Sequence, residues 1–186
     1  QVLLPFFREH KDALVETSKT ARAEVRRHRL PINASAMSLA RWVLGNTDHS
    51  VTIYDALTYA GNLSSIRDLL DDPRCTFVHA DICDRAAVLA AMDGHDAVVH
   101  FAAESHVDRS IADPRPFAEN NVALMLTMLE YARTTGTGKF LQIGTDEVYG
   151  PMLGGVPNRE WDPVIPSNPY SASKAAQDAL ATAWWR

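Results

Sequence analysis

From Ser50 onward, short apolar runs alternate with segments of helical spacing. The run "SVTIYD" (Ser50–Asp55) is rich in β-branched residues and ends on an acid, and "CTFVHAD" (Cys75–Asp81), "DAVVHFAA" (Asp96–Ala103) and "KFLQIGT" (Lys139–Thr145) follow the same plan. Such near-continuous apolar character predicts strands covered on both faces rather than on one. Between them, "SSIRDLL", "DRAAVLAAM" and "PFAENNVALMLTMLEYARTTG" are spaced as helices. The last opens with Pro116 at a helix-start position and stops at Gly136, and its Met and Leu residues fall on a core-facing stripe. A final helix is predicted from about Pro169 to the end of the sequence. Strand–helix alternation of this kind predicts an α/β fold with a doubly wound parallel sheet, Rossmann-like in plan.

Ligands of open parallel sheets bind at the carboxyl ends of the strands. Asp55, Asp81, Glu104 and Thr145 all fall at such ends. Asp55, ending the second strand of a dinucleotide fold, would accept the hydroxyls of an adenosine ribose and repel a 2′-phosphate, which favours NAD over NADP. The plain alternative is an acid that caps a strand-to-loop turn.

Two further patterns carry chemistry. In "YSASK", Tyr170 and Lys174 stand four apart and share one face of a helix. An ammonium beside a phenol stabilises the phenolate and lowers its pKa from about 10, making Tyr170 a base for a hydroxyl proton. In "GTDEVYG", Asp146 and Glu147 are adjacent carboxylates just past a strand. Two neighbouring carboxylates in a partly desolvated site ionise unequally, so one can serve as general acid and the other as general base. Elimination of water needs that division of labour. The plain alternative is a solvated pair of loop acids.

Composition narrows the partners. The net charge of −5 provides no clustered positive surface for nucleic acid or anionic membrane. The basic run Arg22–Arg29 is read as a solvated helix face. Cys75 and Cys83 make neither a disulfide framework nor a zinc spacing, and the seven histidines form no ligand cluster, so no metal is expected and a reducing cytoplasm is. The opening "QVLLPFF" is too short to span a membrane and lacks the features of a signal peptide.

"DALTYAGN", "HADI", "HFAAESHVDRSI", "GTDEVYG" and "NPYSASK" occur in the order seen in nucleotide-sugar dehydratases of the extended short-chain dehydrogenase/reductase family. The resemblance covers about Leu39 to Arg186. It implies a cycle that uses NAD without consuming it. Tyr170, helped by Lys174 and Thr145, would take the 4-hydroxyl proton of the sugar as hydride leaves C4. Glu147 would remove the C5 proton and Asp146 would protonate the departing C6 hydroxyl. The hydride would return to C6, giving a 4-keto-6-deoxy sugar, with the dTDP-glucose type of substrate favoured. The resemblance places NAD against Asp55, Leu57, Thr58, Asp81, Ile82, Phe101, Ala102, Ala103, Tyr170 and Lys174, with Asn120 where the family often has a threonine. Ser105 and Thr145 would contact the sugar. It also implies a homodimer built on the Pro116–Gly136 helix and the terminal helix.

Other readings stand beside this one. A related nucleotide-sugar epimerase or decarboxylase shares Tyr-x-x-x-Lys but usually lacks the Asp-Glu pair. A catalytically silent fold with weak NAD binding is the other. The family begins with a buried strand and a glycine-rich turn that cradles pyrophosphate on a helix N-terminus. Here no glycine lies between Arg29 and Leu44, and Asn33 and Ala36 stand where glycines are expected. The glycine-rich first turn is thus missing or replaced, although Asp55 keeps its register 19 positions after Ala36. Residues 1–35 form an atypical segment outside the resemblance, 36–186 the NAD-binding domain. The resemblance implies that the family's later substrate-binding portion is not represented in residues 36–186, and that it or a partner subunit would normally cover Trp184 and Trp185.

Overall fold

The computed structural model describes residues 34–58 and 61–184. "QVLLPFF", the basic run, Asn33 and Trp185 lie outside them. The chain divides into two compact units, residues 1–91 and 92–186.

In the first unit, helix α1 (Ala34–Asn46) places Met37, Ala40 and Leu44 on one face. They pack with Ile66 and Leu69 and with the half-buried Val51, Ile53, Cys75 and Phe77. Its C-terminal carbonyls are satisfied by side chains: Arg74 donates to Leu44 O and Thr47 O (both 2.6 Å), while Asn46 donates to Trp42 O (2.8 Å). Such partners replace the hydrogen bonds a helix end lacks. Strand β1 (Val51–Asp55) runs parallel to β2 (Cys75–His79), with Val51 opposite Cys75 and Asp55 opposite His79. Between them, "SSIRDLL" forms a 3₁₀ turn at Leu63–Ile66 rather than an α-helix. Asn62 starts it by accepting from Ser64 N, and Arg41 clamps the following turns through Asp68 and Ser65 O. Those local side-chain bonds favour a tight turn over helical continuation. Helix α2 (Arg85–Met92) begins where Asp84 Oδ1 accepts from Ala86 N and Ala87 N.

In the second unit, β3 (Ala97–His100) runs parallel to β4 (Lys139–Gln142). The connection contains α3 (Val107–Ala112), α4 (Arg115–Phe117), a π-helical segment Ala118–Ala123 and α5 (Leu124–Thr135). The single long helix of the sequence reading is therefore interrupted by a wider turn. Its ends are as expected: a proline in the first turn, and Gly136 left-handed (φ 73°) as the C-cap. Phe117, Met125, Met128, Leu129, Tyr131 and Ala132 are its buried stripe. After β4 come a 3₁₀ turn (Asp146–Tyr149) and helix α6 (Pro169–Trp184), which packs on α3, α5 and the π segment.

All four strands are shorter than the apolar runs that announce them, and except for His100 their residues are at least partly exposed. Each sheet holds two strands, so the expected cover on both faces is not reached. Trp184 is partly exposed, and no helix among the described residues is long and apolar enough to cross a membrane.

Candidate active site

Within the first unit, the strand ends bring the predicted cofactor residues together. Ala80 N donates to Asp55 O (3.2 Å), and the Tyr54 hydroxyl donates to Asp81 O (2.7 Å). Asp55 Oδ1 accepts from Leu57 N (2.7 Å), so one carboxylate oxygen does cap a strand-to-loop turn. That turn forces Leu57 into the left-handed region (φ 46°), at a cost of roughly 1–2 kcal/mol for a residue with a Cβ. Thr58 follows, exposed. Asp81 Oδ1 accepts from Cys83 N (2.9 Å), with Ile82 half-buried between them. The Asp81 carboxylate and burial push the Cys83 thiol up, which keeps it protonated and unreactive.

The second unit gathers the predicted catalytic residues. Thr145 caps the 3₁₀ turn, its Oγ1 accepting from Glu147 N (3.4 Å) and lying 3.5 Å from Asp146 Oδ1. The turn carries both acids but separates their surroundings. Asp146 is exposed; Glu147 is half-buried and its Oε2 accepts from Asn168 Nδ2 (3.2 Å). The Thr145 side chain and both carboxylates lie close enough to Tyr170 to act on its phenol, Thr145 lowering it and the acids raising it. Its backbone N donates to Ser110 Oγ (3.1 Å), and its ring meets Phe117 edge-on at 6.4 Å. Four of the five catalytic candidates thus share one neighbourhood.

Lys174 corrects one expectation. Its ammonium donates to Ile143 O (2.6 Å) and Gln177 Oε1 (2.5 Å), and it is not among the groups that shift the tyrosine. The Tyr170 phenol is raised above its ordinary value, chiefly by desolvation, then by Glu147 and Asp146, against the lowering pull of Thr145. The lysine itself is lowered by burial, opposed by Asp178.

Phe101, Ala102 and Ala103 continue from β3 half-buried, and Ser105 is exposed before α3. Asn120 is half-buried, but its neighbour Asn121 does the connecting. Fully buried in the π segment, Asn121 accepts from Glu104 N (2.8 Å) and donates to Glu104 O (2.9 Å) and Ser173 Oγ (2.9 Å). It fixes the loop after β3 against the helical turn that carries Lys174. The sequence reading passes over Asn121, Asn168 and Gln177. A polar residue on an apolar helical stripe was the available signal for Asn121, and the i,i+3 spacing from Lys174 for Gln177.

His100 ends β3 buried, with its Nε2 unpartnered among the described residues. Desolvation, assisted by Lys174, lowers its pKa from 6.5 to about 4. The unfolded chain therefore takes up this proton first as pH falls. Stability should be unaffected by His100 above its ordinary pKa and should drop progressively from there down to about pH 4. Thermal melts across that window should show the fall, and His100→Phe should flatten it.

Parallel strands joined by helices, with acids at the strand ends, define a Rossmann-like α/β fold. Residues 38–186 match the NAD dependent epimerase/dehydratase family, and the chain belongs to that family. It is 45% identical over 145 residues to a dTDP-glucose 4,6-dehydratase of Streptomyces niveus, covering 76% of this chain and 42% of the relative. Its structure is similar to DesIV, a dTDP-glucose 4,6-dehydratase of Streptomyces venezuelae solved with NAD and TYD bound (TM-score 0.73, 43% identity, 80% of this chain and 46% of that one). It is also similar to the UDP-Glc/GlcNAc 4-epimerase of Campylobacter jejuni (TM-score 0.72, 29% identity, 81% of this chain and 45% of that one). The chain spans about half the length of the curated relatives it matches.

Proposed function

We propose that this chain serves the NAD-dependent dehydration of a nucleotide-activated hexose, dTDP-glucose, to its 4-keto-6-deoxy sugar. The observation that carries the reading is the grouping of the Tyr170 hydroxyl with Thr145, Asp146 and Glu147. Epimerisation at C4 needs a base for one hydroxyl; loss of water across C5 and C6 needs an additional base and acid, and the adjacent carboxylates supply both.

The residues present suit NAD. At the end of β1, Asp55 spends Oδ1 on the Leu57 amide, and Oδ2 has no partner among the described residues. A half-buried carboxylate oxygen so placed accepts from a ribose hydroxyl and repels a 2′-phosphate. In the second unit, Tyr170 and Lys174 would hold the nicotinamide ribose. When bound, NAD accepts hydride from the sugar's C4 and returns it to C6.

The chain's own groups move the protons. Tyr170 takes the 4-hydroxyl proton, with the Thr145 hydroxyl near enough to favour its phenolate. The ketone formed at C4 acidifies C5. Glu147, steadied by Asn168, removes the C5 proton, and exposed Asp146 protonates the C6 hydroxyl as it leaves. Glu147 gives its proton back to C5 as hydride reaches C6, Tyr170 loses its proton to solvent, Asp146 regains one from it, and one water is released for each sugar converted.

Incubated with NAD and dTDP-glucose, the purified chain should form the 4-keto product, read by its ultraviolet absorbance in base. Tyr170→Phe should abolish the signal and Cys75→Ser should leave it. Failure of NAD to bind by calorimetry would overturn the reading.

A further inference from the structure

We propose that Gln142 and Gln177 form a neutral amide clamp that positions the Lys174 ammonium without adding a countercharge to it. What Lys174 then does rests on the dehydratase reading; the clamp itself does not.

The hydrogen bonds close a ring. Lys174 Nζ donates to Ile143 O (2.6 Å) and Gln177 Oε1 (2.5 Å), and Gln142 Nε2 donates to the same two acceptors (2.9 and 2.8 Å). Donors and acceptors alternate, so neither amide can turn over: a flipped Gln177 would set its NH₂ against the ammonium, and a flipped Gln142 would set two oxygens against each other. Gln177 is 0% exposed and Lys174 4%, so these bonds are shielded from water, while the outer amide atoms Gln177 Nε2 and Gln142 Oε1 are buried without a partner among the described residues. It ties the end of β4 to the middle of α6. Two of the three ammonium N–H groups are committed, which aims the third.

The acceptors are uncharged, and that is the point of the device. A carboxylate at position 177 would hold Lys174 equally well but would cancel most of its field. The titratable groups that act on the lysine or feel its charge are Asp178 on α6 and His100 on β3. His100 is neutral at ordinary pH, while Asp178, pushed up by burial, still acts on the lysine by charge from the same helix; the clamp adds no second countercharge to it.

Competitive acetylation of the whole chain, followed by mass spectrometry across pH, reads the protonation of each lysine without cofactor or turnover. Gln177→Glu should move the Lys174 midpoint up by about one pH unit or more, and the similarly shaped Gln177→Met should move it down. Lys139, on the opposite end of β4, should hold its midpoint in both. If both variants match the unsubstituted chain, or shift the same way, the clamp is refuted. Should circular dichroism show that the Gln177 variants do not fold, Gln142→Met decides: a downward shift supports the clamp and an unmoved midpoint refutes it. With NAD and dTDP-glucose, Gln177→Glu should lower kcat at least about tenfold with little change in KM. A chain without turnover at all contradicts the dehydratase reading, while the acetylation midpoints still decide the clamp.

Discussion

Glu147→Gln should lower turnover of dTDP-glucose by about 10²–10⁴-fold, the range a single positioned base contributes. The fold should survive the change, because Asn168 Nδ2 can still donate to the amide oxygen at 147 and the half-buried volume is unchanged. Exchange of the sugar's C5 proton with solvent should be lost in this variant. Asp146→Asn should slow turnover as well but retain that exchange, because Asp146 acts on the C6 hydroxyl and not on C5. Two adjacent carboxylates that respond differently to the same substitution would assign the base to Glu147. Equal loss of C5 exchange in both would remove the assignment.

The second large effect falls on the backbone behind those acids. Gly150→Ala should destabilise the second unit by roughly 3 kcal/mol. Gly150 closes the 3₁₀ turn at φ 75°, ψ −164°, a region essentially reserved for glycine. An added Cβ would also overlap the Ile165 carbonyl oxygen. The approach is close because Ile165 N donates back to Val148 O (2.9 Å), which pins the incoming loop to the turn that carries Asp146 and Glu147. Chemical denaturation should register the loss. Gly45→Ala serves as the control, since its Cβ meets nothing within 4 Å.

Much of this arrangement is legible in the amino-acid sequence because it depends on local chemistry. β-Branched runs ending in acids locate β1 and β2, and a start proline and stop glycine bound the α4–α5 region. "YSASK" and "TDEVYG" identify the grouped side chains before any coordinates. The misses have a common cause: they depend on partners distant along the chain. Asn121 lies next to Asn120, and only its place on the apolar stripe separates the two until the π segment turns it inward to Glu104 and Ser173. Gln177 looks like a surface residue of a polar helix until Gln142 and Lys174 meet it. The raised Tyr170 phenol follows from burial and from Lys174 facing Ile143, neither of which four-residue spacing can convey. Leu57 in a left-handed conformation is likewise invisible, since it is imposed by the Asp55 side chain upon its own loop.

The fate of one hydrogen tests the central claim most directly. Supplied with NAD and dTDP-glucose deuterated at C4, the chain should yield a 4-keto sugar whose C6 methyl carries the deuterium. A product that keeps the label at C4 with inverted configuration, or that loses it to water, would contradict the account.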